Sequence, residues 1–279
     1  MSQETEEIFI YQPFEYSIKK NYYPVTQKLI LLKTIPFKII LLYNYIQVSE
    51  VFMKLFRKIL IIILILLIIV ASFLFFIGYG YYSNALKEKP LISRVEEITQ
   101  KENYTPFNEL PKNYIYAVIA TEDHRYYDHG PIDFIGITRA IYTNISSGEL
   151  SEGGSTITQQ VAKNVVFTQE ATLSRKLGEL FAAYDLEKNY SKNEIFALYV
   201  NSCYFGDGYY CIYDASQGYF GKTPKELNLD EASMLAGLPN APSVYSPSVN
   251  PDLAQKRQKH VLNKMVEYGY ITKEEAESI

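Results

Sequence analysis

Residues 59–77 constrain this chain most strongly, because the 19 positions ILIIILILLIIVASFLFFI carry no charge. A helix rises about 1.5 Å per residue, so this run would extend roughly 28 Å, close to the hydrocarbon thickness of a bilayer. A cleaved signal peptide has a shorter apolar core that ends in small residues, and GYGYYSNA (78–85) offers little besides Ala85. The run therefore predicts a transmembrane signal-anchor helix over residues 59–82.

The flanks of this run predict its orientation. Basic residues precede it and tyrosines follow it, namely Lys54, Arg57, Lys58, Tyr79, Tyr81 and Tyr82. An excess of basic residues marks the cytoplasmic side, and tyrosines are enriched at membrane interfaces. We therefore expect a single-pass protein with residues 1–58 in the cytoplasm and the chain from residue 83 outside the membrane.

The segment before the anchor leaves two interpretations open. Residues 29–48 are apolar but are interrupted by Lys33, Pro36 and Lys38, which makes them a poor membrane span. They could lie in the membrane interface. Alternatively, Met53 is the native start, because MKLFRKILIIILILL reads as the complete beginning of a signal anchor.

Beyond the anchor, the sequence is mostly helical in pattern. Residues 83–105 are rich in charge and are predicted to form an extracellular stalk. Gly148 is placed to end a helix over 134–148, and Leu173, Leu177, Leu180 and Tyr184 share one stripe of a helix over 172–190. Capping-box spacing marks helix starts at Ser191 and Thr272. The net charge of −4 argues against a general nucleic-acid binder.

The stretch ATEDHRYYDHGPID, residues 120–133, concentrates carboxylates and histidines in a short segment. Zinc-binding histidines on a helix are spaced i, i+4, whereas His124 and His129 are five apart and would face about 140° away from each other. Zinc is therefore disfavoured. An acid/base site and a structural cluster of caps and surface charges both remain open from these residues alone.

Two downstream segments bear on that choice. GGSTITQQVAKN (153–164) combines a glycine hinge with two glutamines and a lysine, and RKLGE (175–179) places two cations before a carboxylate. Alone, RKLGE is explained by a solvated helix face with an Arg175–Glu179 pair. Two glutamates with cations between them would also suit attack of a hydroxyl on a sugar carbon that bears a diphosphate.

From about residue 106 the chain resembles the peptidoglycan glycosyltransferase (transglycosylase) domain of monofunctional glycosyltransferases and class A penicillin-binding proteins. Five blocks match in order: ATEDHRYYDH, GGSTITQQVAKN, RKLGE, EIFALYVNSCYFGDG and YFGKTPKELNLDEASMLAGLPNAPSVYSP. The resemblance implies that residues 106–279 form this domain. It also implies a mostly α fold, with a lysozyme-like helical lobe and a smaller, membrane-facing jaw lobe.

The resemblance also implies site residues. Glu122 matches the catalytic base, and Glu179 matches a second essential glutamate near the leaving diphosphate and a divalent cation, Mg or Mn. His129 matches a motif histidine, whereas His124 occupies a variable position. The implied substrate-binding residues are Asp123, Ser155, Thr156, Gln159, Gln160, Lys163, Arg175, Lys176 and Asn201.

The implied activity is polymerisation of lipid II into β-1,4-linked glycan, with inversion and release of the lipid diphosphate, at the outer face of the bacterial cytoplasmic membrane. Expected partners are lipid II, the growing glycan strand, the membrane and other cell-wall synthesis proteins. The only S-x-x-K is SIKK (17–20) and no K-T-G occurs, so a monofunctional enzyme without a transpeptidase is expected. The alternatives are a catalytically silent lipid II-binding scaffold and a lysozyme-like glycan-cleaving enzyme.

Some positions depart from the family pattern. Ala171 and Asp185 stand where basic residues are usual, and Pro131 stands where glycine is usual, so diphosphate affinity or processivity is in question.

Cys203 and Cys211 bracket YFGDGYY in place of an apolar residue and a glycine. On the oxidising side of a membrane they are expected either to form a disulfide or to pack as two separate thiols.

Overall fold

A computed structural model describes residues 25–148, 153–167 and 172–279, and these residues form helices and turns without a β-strand. The mostly α fold is thereby confirmed. The helices are α1 (Val25–Glu88), α2 (Leu91–Thr99), α3 (Lys112–Glu122), α4 (Phe134–Ser147), α5 (Ile157–Val166), α6 (Leu173–Asn189), α7 (Lys192–Ser202), α8 (Ile212–Phe220), α9 (Leu229–Gly237), α10 (Pro242–Tyr245), α11 (Pro251–Glu267) and α12 (Lys273–Glu277).

Helix α1 contains the predicted anchor. Its segment Ser49–Glu88 is long and apolar enough to cross a membrane, as judged by length and composition. The side chains of residues 59–70 are exposed, as expected for a helix that requires an apolar surrounding. The chain divides into two compact units, the first ending at Ile68 and the second comprising Ile69–Ile279.

The core of the second unit is built from helices that are distant in sequence. Helix α3 packs against α9 and α11, and α5 packs against α6 and α7. Its largest fully buried side chains include Tyr114, Tyr126, Phe196, Tyr199 and Phe205. The packed helices thus include one group around α9 and another around α5.

The predicted helix boundaries agree with the structure where local signals are strong. Gly148 adopts the left-handed conformation (φ 71°) after α4, which a glycine tolerates without steric cost. Capping boxes at Ser191 and Thr272 begin α7 and α12. These boundaries are set by backbone groups that need a local partner.

The segment predicted as a stalk, residues 83–105, contains the end of α1 and all of α2. Helix α2 packs against α5 and α7, and its Leu91 and Val95 are buried. The packed helices of the second unit therefore begin before residue 106.

The predicted apolar stripe of α6 is not the buried face of that helix. Leu173 and Tyr184 are exposed, whereas Glu179 is 1 % exposed. The buried face carries short residues (Gly178, Ala182, Ala183) that let α5 approach closely. The solvated-face interpretation of Glu179 is therefore wrong, because Glu179 lies on the buried face of α6 together with these small residues and Leu186.

Candidate active site

A cleft of about 280 Å³ opens between α3, α5, α6 and α11. Most of the predicted site residues line it, namely Glu122, Asp123, Ser155, Gln159, Gln160, Lys163, Arg175, Lys176 and Glu179. Thr156 and Asn201 do not. The structure thus brings together two glutamates that are 57 positions apart in the chain.

Glu122 is the last residue of α3, where it enters the cleft. The helix ends because Asp123 leaves the helical conformation (φ −162°, ψ 74°). The Glu122 side chain is 10 % exposed and has two partners in the cleft. Gln160 Nε2 donates a 2.8 Å hydrogen bond to Oε2, and Arg257 Nη2 lies 3.5 Å from Oε1. Both carboxylate oxygens are therefore held in place.

Asp123, which follows Glu122 in the chain, forms a pair with His129 in which both side chains are buried. Nε2 of His129 donates to Asp123 Oδ1 at 2.7 Å, and Nδ1 donates to the Gly130 carbonyl at 2.6 Å. Both ring nitrogens face acceptors, an arrangement that a protonated imidazole satisfies. Burial lowers the pKa of His129, but the Asp123 carboxylate outweighs it and the net shift is upward. Asp123 Oδ2 also accepts from the Ile157 backbone N–H at 3.0 Å, which joins α3 to α5.

Asp133 completes this cluster. It caps α4 and accepts a 2.8 Å hydrogen bond from Arg125. Burial raises the pKa of Asp133, but the Arg125 guanidinium and a backbone N–H outweigh it, and the pKa falls to about 2. The potential ligand atoms of Asp123, His129 and Asp133 lie within 4.8 Å of one another. In this structure Asp123 and Asp133 accept hydrogen bonds and both ring nitrogens of His129 have partners, so the three side chains connect the end of α3 with the starts of α4 and α5.

The predicted residues of GGSTITQQVAKN fall into two groups around the start of α5: some cap the helix and others line the cleft. Thr156 caps α5 in a capping box with Gln159, and both donate to the Pro131 carbonyl, at 3.0 and 3.3 Å. Thr156 is buried and does not reach the cleft, so its substrate-binding assignment is not supported. Gln160 and Lys163, one turn apart, line the cleft.

Glu179 lies in the cleft with two cations. Lys176 Nζ is 2.9 Å from Oε2, and Arg175 Nε is 3.4 Å from Oε1. Lys176 also donates to Ser155 Oγ at 2.7 Å, which links α6 to the segment before α5. Oε1 of Glu179 accepts no hydrogen bond within the described part of the chain. Glu179 Oε1 is therefore a hydrogen-bond acceptor without a donor among the described residues, and it lies close to the Arg175 and Lys176 side chains.

Asn201 lies outside the cleft. Its amide accepts from the Thr105 N–H at 2.9 Å and donates to the carbonyls of Thr105 and Ala197, both at 2.8 Å. It is buried. Asn201 thus joins α7 to the segment after α2 and has no access to a substrate in the cleft.

The two cysteines are free and buried in this structure, the arrangement of the two-thiol alternative. Each thiol has its own contacts. The Asn164 amide lies 3.8 Å from Cys203 Sγ, and the Asn103 amide lies 3.3 Å from Cys211 Sγ. Burial raises the pKa of Cys203 to about 12 and that of Cys211 to about 11.

Ala171 and Asp185 stand where basic residues are usual in the family. Asp185 has a hydrogen-bond partner outside the cleft. Its Oδ2 accepts a 2.6 Å hydrogen bond from the Tyr82 hydroxyl, and Asp185 does not line the cleft. Ala171 lies outside the described residues. The negative charge of Asp185 is therefore not placed at the group of cations around Glu179.

Several cleft residues were missed by the sequence reasoning. Arg257, His260 and Lys264 follow one face of α11, and their i, i+3, i+7 spacing was a signal that could have revealed them. Other lining residues that were not assigned to the site include His124, Arg139, Asn240 and Tyr268. The ring of His124 stacks on that of Tyr268 with centroids 4.4 Å apart.

The cleft is cationic overall. Its described lining contains six Lys and Arg side chains against three carboxylates, Glu122, Asp123 and Glu179. Such a site attracts a polyanionic ligand and stabilises negative charge that develops during a reaction. A carboxylate held in fixed orientation beside it can accept a proton from a hydroxyl.

Comparison with known proteins agrees with this arrangement. The profile of the transglycosylase family matches residues 88–266. A Cupriavidus necator protein that is provisionally named a transglycosylase is 42 % identical over 191 residues, which cover 68 % of this chain and 82 % of that protein. Penicillin-binding protein 1A of Neisseria flavescens is 46 % identical over 62 % of this chain, and that of Aquifex aeolicus is 45 % identical over 64 %.

The chain spans 22 % and 24 % of the length of these two penicillin-binding proteins. The matched region contains α2–α10, nearly all of α11 and the described lining of the cleft up to Lys264. The chain therefore belongs to the transglycosylase family.

Proposed function

We propose that this protein is a peptidoglycan glycosyltransferase that polymerises lipid II into β-1,4-linked glycan strands, with inversion and release of the lipid diphosphate. The observation that carries the proposal is the meeting of Glu122 and Glu179 in one cationic cleft. Membership of the transglycosylase family supports the reaction class. The lipid II substrate and the stereochemistry are parts of the proposal.

Glu122 acts as the general base. Its carboxylate accepts the proton of the acceptor 4-hydroxyl, and the oxygen attacks C1 of the donor sugar from the face opposite the diphosphate. The bond between C1 and the phosphate oxygen breaks, and its electron pair leaves with the diphosphate. The contacts of Glu122 with Gln160 and Arg257 orient the carboxylate before the substrate arrives.

The cations around Glu179 bind the leaving diphosphate. Arg175 and Lys176 contact Glu179 from the same helix, and Lys163 faces the cleft from α5. Negative charge grows on the diphosphate as the C1–O bond breaks, and positive side chains already in place stabilise it without reorganisation. These cations therefore lower the barrier to departure of the diphosphate, while Glu122 activates the attacking hydroxyl.

A divalent cation, Mg or Mn, fits at Glu179. Its Oε1 accepts no hydrogen bond from the described residues, and Mg²⁺ is commonly held by one or two carboxylates together with substrate phosphates. When bound, the ion would neutralise charge on the diphosphate. Because Arg175 and Lys176 already offset the charge of Glu179, we expect the metal to bind well only when the diphosphate is present.

The predicted anchor supports a membrane location for this reaction. A lipid-linked substrate diffuses in the plane of the same bilayer that α1 would span. We place the cleft at the outer face of the bacterial cytoplasmic membrane. Its partners are then lipid II, the growing strand and other cell-wall synthesis proteins.

The test is polymerisation of labelled lipid II by the full-length protein in liposomes with a divalent metal. We expect long glycan ladders from the wild type. The Glu122→Gln variant should be about 10²- to 10⁴-fold slower, the range typical of a lost general base. The matched control is Glu109→Gln, the same chemical change at an exposed residue outside the cleft, which should behave as the wild type.

Two outcomes would contradict the proposal. Binding of lipid II without any polymer would favour the scaffold alternative. Shortening of preformed glycan strands, with Glu122→Gln inactive, would favour a lysozyme-like hydrolase.

A further inference from the structure

Asp185 is tied to the end of α1. The Tyr82 hydroxyl donates a 2.6 Å hydrogen bond to Asp185 Oδ2, joining residues 103 positions apart. Asp185 lies on α6, six positions after Glu179, and does not line the cleft. The acidic residue at a position expected to be basic thus has a defined partner in this chain.

The same end of α1 crosses α6 at very short range. A Cβ added to Gly78 would lie 2.8 Å from Leu177 Cβ and 3.1 Å from its carbonyl carbon, so only glycine fits. The ring of Phe181 on α6 contacts those of Phe75 and Tyr79, with centroids 5.1 and 5.8 Å apart. One glycine and a set of aromatic rings therefore fix the distance between the two helices.

Hydrogen bonds of one arginine also connect the end of α1 to α5, which lines the cleft as α6 does. Arg94 on α2 donates to the carbonyls of Ala85 and Lys89 at 2.8 and 2.9 Å. Its Nη1 also reaches the Val165 carbonyl in α5 at 3.4 Å. The end of α1 is therefore connected to α6 directly and to α5 through one arginine.

We propose that the α1–α6 junction, defined as Phe75, Gly78, Tyr79 and Tyr82 on α1 with Leu177, Phe181 and Asp185 on α6, is a positioning element for the diphosphate-binding residues of the cleft. The α1 side of the junction lies in the last turns of the predicted anchor, so the element that crosses the membrane also sets where α6 stands. This inference rests on the proposed function.

The physical reason lies in the residues that α6 carries. Leu177 lies next to Lys176 and two positions before Glu179, so a shift of the helix at the junction moves Arg175, Lys176 and Glu179 with it. The diphosphate of a lipid-linked substrate is confined to the membrane surface and cannot follow a displaced helix. Displacing these side chains weakens contacts with the diphosphate that are made in the ground state as well as in the transition state, and the loss of such contacts raises KM.

The first test uses two glycines of α1 as a matched pair. Gly78→Ala must push α1 and α6 apart, whereas a Cβ at Gly80 meets nothing within 4 Å. Both changes have the same effect on helix propensity. With the full chain in liposomes, we expect Gly78→Ala to raise the KM for lipid II about tenfold. Gly80→Ala should stay within about twofold of the wild type, as expected of a site without contacts.

A change in KM distinguishes a displaced α6 from a loss of folded protein, because a smaller folded fraction lowers the apparent kcat and leaves KM unchanged.

A second set of variants perturbs the junction mildly. Tyr82→Phe and Asp185→Ala each remove the hydrogen bond, and the double variant should be no worse than either one. Asp185→Asn retains a carbonyl acceptor and should preserve the wild-type KM.

Hydrogen exchange of the α6 amides and binding of undecaprenyl diphosphate without turnover complete the test. We expect faster exchange over residues 173–189 and weaker binding in Tyr82→Phe and Gly78→Ala, but not in Gly80→Ala. If the wild type polymerises lipid II and the two glycine variants have the same KM, the inference is overturned and the proposed function stands. If the junction variants weaken diphosphate binding but the wild type makes no polymer, the junction is supported and the proposed function fails.

Discussion

Gln160 donates a hydrogen bond to Glu122 across 38 positions of sequence, at a distance of 2.8 Å. The two residues belong to α5 and α3, which the Asp123 carboxylate also joins through the Ile157 N–H. The orientation of the Glu122 carboxylate is therefore a property of the packing of two helices.

Replacing Gln160 by leucine should remove the donor that orients Glu122 Oε2. We expect kcat for glycan polymerisation to fall about tenfold with little change in KM, because the base is misoriented while the diphosphate-binding cations remain. Gln100→Leu, the same change at an exposed residue after α2, should have no effect. Equal rates for Gln160→Leu and Gln100→Leu would show that the hydrogen bond does not serve the reaction.

Glu179→Gln should uncouple the reaction from divalent metal. The amide keeps the size of the side chain but cannot offer an anionic oxygen to a cation held with the diphosphate. In the wild type, removal of metal by EDTA should abolish polymerisation, and Mg²⁺ should restore it. The variant should be slow at every Mg²⁺ concentration. If polymerisation by Glu179→Gln depends on the Mg²⁺ concentration in the same way as in the wild type, other residues bind the metal.

The His129–Asp123 pair should make stability depend on pH. The pKa of His129 is raised in the folded protein above its ordinary value of 6.5. Its stabilising effect, about 2 kcal/mol for a charge-assisted hydrogen bond, is therefore fully present below pH 6.5 and is lost as pH rises through the raised pKa. Thermal unfolding of wild type and His129→Gln should show a difference that shrinks with increasing pH. A difference that is constant from about pH 5.5 to pH 9.5 would contradict the charged pair.

Cys203 and Cys211 should both react with a thiol reagent without prior reduction. Alkylation of the unfolded protein under non-reducing conditions should add two groups, as measured by the intact mass. In the folded protein the reaction should be slow, because burial keeps both thiols protonated. A mass that shifts only after reduction would establish a disulfide instead.

The sequence by itself determined the features that depend on local physics or on a specific string of residues. The apolar run 59–77 needs only its length and lack of charge to indicate a membrane-length helix, and the caps at Gly148, Ser191 and Thr272 satisfy backbone groups within a few positions. The motif blocks likewise pointed to Glu122, Gln160, Lys163, Arg175, Lys176 and Glu179, all of which line the cleft.

Tertiary structure alone decided which of these residues face a substrate and which support the fold. Thr156 and Asn201 belong to motif blocks, yet their polar atoms bind backbone groups that arrive from distant segments. Glu179 could not be recognised as buried, because its burial depends on α5 packing against the small residues of α6. The cations of α11 and the contact between Tyr82 and Asp185 join elements far apart in sequence, and the three-dimensional packing of helices sets such contacts.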